Sequence, residues 1–584
     1  MKFPLLLLLI FQVAAQAPTP PQAPPEKASI AGAVLRSDSG EPLARSEIRL
    51  TRVSSEEGVG NFIMYDGQEN QGLPKVQTGN DGKFLLKDLE PGQYRMTASR
   101  NGYAEQTFGS RNASRPGTII NLAAGERKTD VVFRLQPAGV ITGRVRDASG
   151  DPVAGFAVSL MKAGYNGERQ FLSREDGTIT DDRGEYRFYW IPPGRYYVRV
   201  SPPRQGQFES RRVVVDNAAL AAFYPGVLDA SSASVIELGA GAEMGAVDIV
   251  LPRVTAYRVR GRVIDASTGQ PPKSASVSIL PKKAEMFEYG FSESDGTEYN
   301  SKTGEFELRN VVPGSYWLSA ASQSQFDGPI SPEQLADVRT GNDIFEAVFS
   351  SGTSTQIALE MNAEDVSGIV LVLKKGATIP ARISIEGAEL TSIKGWEDIR
   401  LSLAPEVPPM SFHRSSRPSA NGTERIENVS PGQYRVDVDF PPAASLYVKE
   451  ISYGRSDALT RPIEISELAP DAITVLLSPN GGQVEGRLTD AQSQPVSGVD
   501  VVLVPDDRER SRLFKTAITD RDGHFNFKAV PPGSYKLFSW EDLDSGEYFS
   551  KQVLLKYETQ GRPVRVQESL KQSVDVKIIP APKP

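Results

Sequence analysis

Two histidines, two acidic turns and one aromatic pair are the residues of this chain that could do chemistry. His413 and His524 are the only histidines in 584 residues, and there is no cysteine. They lie far apart in sequence and in different repeats, so a zinc site or a Ser-His-Asp triad would have to be built around one of them alone. His524 adjoins Phe525 at a turn, where an exposed polar residue is expected. With no cysteine, thiolate nucleophiles, thiolate metal sites and disulfides are excluded. Asp520-Arg-Asp522-Gly523 and Asp181-Asp182 offer carboxylates at a spacing that begins a calcium loop. The remaining acidic positions and the distal glutamate of such a loop are missing, and carboxylates capping a β-turn explain both runs. The expectation is no catalytic residue, no cofactor and no metal.

The aromatic pair is Tyr189-Trp190. It occupies a place where sibling repeats carry Lys87-Asp88, Arg309-Asn310, Glu427-Asn428 and Lys528-Ala529. Flat aromatics at an exposed strand end pack well against sugar rings, so Tyr189 and Trp190 are candidate ligand-binding residues, and Tyr197 extends the patch. The bland explanation is packing against a neighbouring sandwich or against the long 203–230 insertion. Trp317 and Trp540 read as structural, and Trp396 lies in an irregular loop.

The elements that position these residues recur five times. The last copy runs from Asp520 to Leu537: a turn with Gly523, alternating Phe525 and Phe527, then Pro532-Gly533, Tyr535 and Leu537. The other Pro-Gly-x-Tyr copies begin at Pro91, Pro193, Pro313 and Pro431. A glycine precedes each Pro by nine residues: Gly82, Gly184, Gly304, Gly422 and Gly523. An aromatic precedes it by seven in four copies (Phe84, Tyr186, Phe306, Phe525), and Glu424 breaks the pattern in the fourth. The reading is strand, Pro-Gly turn, strand, with the turn glycine at positive φ. Opening strands repeat around Gly32, Gly143, Gly261 and Gly486, with Ala381 in the fourth copy. Closing strands repeat at 131–135, 247–251, 369–373, 473–477 and 574–578. Short alternating strands with Gly and Pro turns predict an all-β chain of sandwiches. Ser331–Ala336 and Asn217–Phe223 are candidate short helices.

These motifs resemble the carboxypeptidase regulatory-like domain. Thr180-Asp181-Asp-Arg-Gly184-Glu-Tyr186 and Thr519-Asp520-Arg-Asp-Gly523-His-Phe525 carry the resemblance best. It implies a fold of five tandem transthyretin-like or Ig-like β-sandwiches in a row, of the kind found as repeats in bacterial surface proteins. It also implies an accessory binding or structural module, not a catalytic one. Related surface sandwiches carry a Lys–Asn isopeptide bond with its lysine on the first strand. Here Arg144, Arg262, Arg382 and Arg487 stand in that neighbourhood, so no such bond is expected.

The expected layout is a signal peptide at 1–15, a Pro-rich linker at 16–27, and sandwiches at 28–137, 138–254, 255–374, 375–479 (divergent) and 480–584. Lys2, the apolar run Pro4–Phe11 and Val13-Ala14-Ala15 form the signal pattern. The apolar run is too short to span a bilayer, and no other stretch does so. A net charge of −8 argues against a nucleic-acid surface. The chain is therefore expected to be secreted, periplasmic or on the cell surface of a bacterium. Its expected partner is a polysaccharide, with a spacer or scaffold role for another envelope protein as the alternative.

Overall fold

The computed structural model describes residues 26–53, 74–110, 117–166, 169–202, 220–282, 286–288, 298–322, 352–406, 414–441, 444–466, 470–508, 510–544 and 546–581. The signal pattern, His413 and the candidate helix at 331–336 fall outside these residues. Of the other candidate helix, Ala222–Phe223 is a short strand on the edge of Gly194–Ser201.

The chain is all-β and forms five tandem sandwiches, each with its own buried core. One rule organises them. The opening strand sits inside one sheet, antiparallel to the strand after the glycine turn and parallel to the closing strand. In the second sandwich these are Gly139–Arg146, Glu185–Ile191 and the short pieces Glu243–Met244 and Ile249–Val250. The facing sheet carries the strand that follows Pro-Gly, here Gly194–Ser201, against Ala157–Asn166.

The repeated residues now have physical roles. The first-turn glycine is left-handed, with φ of 71° at Gly82, 70° at Gly184 and 77° at Gly304, Gly422 and Gly523. Its carbonyl accepts from the opening strand, whose Val34, Val145, Val263, Ile383 and Leu488 N–H groups donate at 2.8–2.9 Å. The tyrosine of Pro-Gly-x-Tyr folds its hydroxyl back to the carbonyl four residues earlier. Tyr94, Tyr196, Tyr316, Tyr434 and Tyr535 all donate this bond at 2.8–2.9 Å.

The glycine beside that proline departs from expectation. None of the five takes the left-handed turn conformation: Gly92 and Gly432 lie near the extended edge at φ 159° and 153°, and all five open the next strand. The positive φ sits instead three residues before the proline, at Asp88, Trp190, Asn310, Asn428 and Ala529, with values of 48–61°. Each forms a bulge that shifts the register against the opening strand.

The conserved packing unit is an aromatic over a glycine. A Cβ at Gly32, Gly143, Gly261 or Gly486 would stand 2.0–2.3 Å from a closing-strand carbonyl and 2.7–2.8 Å from Phe84, Tyr186, Phe306 or Phe525. All four aromatics are buried, a contribution of about 2–3 kcal/mol each. In the fourth sandwich both members change together: Ala381 replaces the glycine, and Glu424 lies opposite it.

The fifth sandwich adds a second small core around Phe538, Trp540, Tyr548 and the helix Lys551–Tyr557. Trp540 is buried and stacks on Phe538 at 5.3 Å, a structural role. Trp317 lies under the Lys282 ammonium at 5.2 Å, and Trp396 opens a 3-10 turn packed on the fourth core. Arg195 of the second sandwich ion-pairs with Asp544 at 3.1 Å and Glu547 at 2.5 Å in the fifth.

Candidate functional site

Tyr189 and Trp190 sit at the end of Glu185–Ile191, an edge strand of the smaller sheet. Alternation sends Tyr186 and Phe188 into the core and Arg187 and Tyr189 outward. The bulge then breaks the alternation, so Trp190 also faces solvent while Ile191 returns inside. Exposure is 57% for Tyr189 and 49% for Trp190. Among the described residues they are the only aromatics classed as exposed; the other exposed apolar residues are aliphatic. Their rings meet edge to face, with centroids 5.2 Å apart and planes at 88°, which makes a corner rather than a flat shelf.

Trp190 holds φ at 60°. Asp and Asn tolerate that region, and they fill it in three sibling bulges. A bulky aromatic there is a strained choice, costing about 1–3 kcal/mol.

Around the corner, Tyr189 lies opposite Val140, and Arg187 opposite Thr142, on the outer face. Arg144 and Glu185 form a closed ion pair at 2.5 Å. Glu243 stands one strand further out, against Val140.

Tyr197 does not join this corner. It is 9% exposed and packs with Met161, Leu172, Phe223 and Ala230. Its strand, Gly194–Ser201, is buried on both faces from Tyr196 to Val200, so being out of phase with Tyr196 does not expose it. The unbroken apolar character of Tyr196-Tyr-Val198 was the signal in the sequence for this.

The acidic turns behave as backbone caps. Asp181 Oδ1 accepts from the Arg183 and Glu185 amides at 2.9 and 2.8 Å, and Asp520 Oδ1 from the Asp522 and His524 amides at 3.0 and 2.8 Å. Asp520, Asp522 and His524 present ligand-type atoms within 4.8 Å of one another, all exposed. His524 Nδ1 also lies 3.6 Å from Asp520 Oδ2.

No curated protein matches the chain in sequence. Among solved structures it is similar to the minor pilin of the gram-positive pathogen Streptococcus agalactiae, at 14% identity over 39% of this chain and 97% of that one, with a TM-score of 0.24. It is similar to the Bacillus anthracis TIE protein at 11% identity over 75% and 73%, TM-score 0.14. The shaft pilin SpaA of Lactobacillus rhamnosus GG aligns at 12% identity over 39% and 96%, TM-score 0.17. The sequence model of the carboxypeptidase regulatory-like domain matches residues 29–136, 140–242 and 483–578, the first, second and fifth sandwiches. Those matches take in more than half of the chain and the turn, aromatic and tyrosine positions of those three sandwiches, and the chain belongs to the carboxypeptidase regulatory-like domain family.

Proposed function

We propose that this chain is an exported, non-enzymatic binding protein of the bacterial envelope that holds polysaccharide on the Tyr189–Trp190 corner. The observation that carries this reading is Trp190 itself: half exposed, left-handed, and placed where three of four siblings have Asp or Asn and the fourth has alanine. Backbone strain that a smaller residue would relieve is retained at sites of function. The apolar C–H face of a pyranose packs on an aromatic ring, and a second ring at right angles bounds it from the side.

Export is supported by the N-terminal signal pattern. Among the described residues no helix is long and apolar enough to cross a membrane. The non-enzymatic reading is supported by the absence of cysteine and by the exposed, turn-bound setting of His524.

The test is a binding panel of soluble and insoluble polysaccharides against residues 16–584. Trp190→Asn is expected to weaken binding by about tenfold or more, as loss of one stacking aromatic does. The same substitution is expected to raise stability by about 0.5–1 kcal/mol, because asparagine accepts the bulge conformation. Loss of binding with a raised thermal midpoint separates a binding residue from a structural one. Absence of binding to every polymer overturns the reading and leaves a scaffold for another envelope protein.

A further inference from the structure

Arg187 sets the chemistry of the ligand. It precedes Tyr189 by two positions on the same outward face, about 7 Å along the strand. Its side chain is exposed and has no hydrogen bond or ion pair among the described residues. Thr142, directly across the strand pair, brings a neutral hydroxyl. Glu185, the next outward residue, is engaged by Arg144 at 2.5 Å.

Two sibling faces are closed where this one is open. In the third sandwich the equivalent of Arg187 is Glu307, which ion-pairs with Arg260 at 2.6 Å and Arg309 at 2.5 Å. In the fifth it is Asn526, which accepts a hydrogen bond from Gln483 at 3.0 Å. The first and fourth carry Leu85 and Arg425 there, both exposed, so among the described residues the second sandwich alone sets an arginine beside exposed aromatic rings.

We infer that the polymer held at this corner is an anionic glycan bearing carboxylates, a uronic-acid chain. This rests on the polysaccharide reading above. One sugar ring stacks on Tyr189 and Trp190, and a carboxylate of that sugar or the next takes the Arg187 guanidinium in a forked pair, with the Thr142 hydroxyl beside it. Glu243 bounds the site across the sheet, about 10 Å from Tyr189 at two strand spacings. A polyanion therefore runs along the strand towards Arg187 and away from Glu243.

The experiment compares polygalacturonate with its methyl ester, one backbone with its charge present or removed, using residues 16–584. The free acid is expected to bind about tenfold more tightly, the usual worth of a charge-assisted hydrogen bond. Arg187→Gln is expected to erase that preference, weakening the free acid about tenfold more than the ester, and Arg187→Lys to restore part of it. Trp190→Asn is expected to weaken both polymers alike. Equal affinity for acid and ester, or a preference that survives Arg187→Gln, overturns the inference. Binding of a neutral glucan but of no uronate also overturns it while leaving the polysaccharide reading intact; no binding to any polymer removes both.

Discussion

Glu424→Gln is expected to abolish a loss of stability that the parent chain's fourth sandwich undergoes between about pH 4.5 and 7. Glu424 is 8% exposed and stands where the other sandwiches bury an aromatic. Burial pushes its carboxyl up to about 7 from 4.5, and the Ser416 hydroxyl, donating to Oε2 at 2.5 Å, only partly opposes this. Its other oxygen, Oε1, is buried without a hydrogen-bond partner among the described residues. The strand it faces offers Ala381, and no cation acts on it among the described residues. The acid is protonated in both states below about pH 4.5, where stability is full. Above that the unfolded chain ionises first, so stability falls by about 1.4 kcal/mol per pH unit until the folded carboxyl also ionises near 7. The total is about 3 kcal/mol, after which the curve is flat. Glutamine keeps the bond to Ser416 and does not titrate. Hydrogen exchange of peptides from 377–478 across this range reads the effect directly. An unchanged slope in the variant would sink this account.

The same position shows how far the sequence speaks for the fold. The five-fold recurrence of glycine turn, aromatic and Pro-Gly-x-Tyr was enough for fold class, because each residue type answers a backbone demand. Gly184 must be left-handed, and Tyr196 must reach the Pro192 carbonyl. The break at Glu424 was visible as an exception. Its coupling to Ala381 was not, because the two are 43 residues apart and meet only through sheet register. The bulge was missed for a related reason. Asp88, Asn310 and Asn428 hinted at a left-handed position, but Trp190 and Ala529 hid the pattern, and the Pro-Gly glycine drew the assignment to itself. At the candidate site, Tyr189 and Trp190 stood out by contrast with polar siblings. Tyr197 was misplaced because alternation presumes one wet face, and Phe223 and Leu172 cover that one. Arg187 carried no signal in the sequence. Its meaning is a missing partner, which only the pairing of Glu307 and Asn526 in other sandwiches makes visible.

Gly486→Ala is expected to cost the fifth sandwich about 3 kcal/mol or more, lowering its thermal midpoint by more than about 10 °C. The opening strand Gly482–Thr489 pairs in parallel with the closing strand on both sides of this point, at 571–573 and at 576–577. Between them the closing strand bulges: the Val574 N–H donates to the Glu485 carbonyl at 2.8 Å, and Asp575 Oδ1 accepts from the Arg487 N–H at 3.0 Å. The Val574 carbonyl is thereby left pressed on Gly486, where a Cβ would stand 2.0 Å from it and 2.8 Å from Phe525. The first contact is with backbone held on both flanks, so relief requires moving a strand; the second is with a buried ring. The fourth sandwich shows the accommodation. It carries alanine at this place, gives up the aromatic, and has parallel pairing of Ala377–Ile385 with Ile473–Ser478 that starts at Ala381 with no register break. Gly486→Ala should therefore cost less when Phe525 is already truncated to leucine than in the parent, a coupling that a double-mutant cycle by calorimetry measures. A shift below about 2 °C, or strict additivity of the two changes, would show that the glycine is not there to admit the carbonyl and the ring.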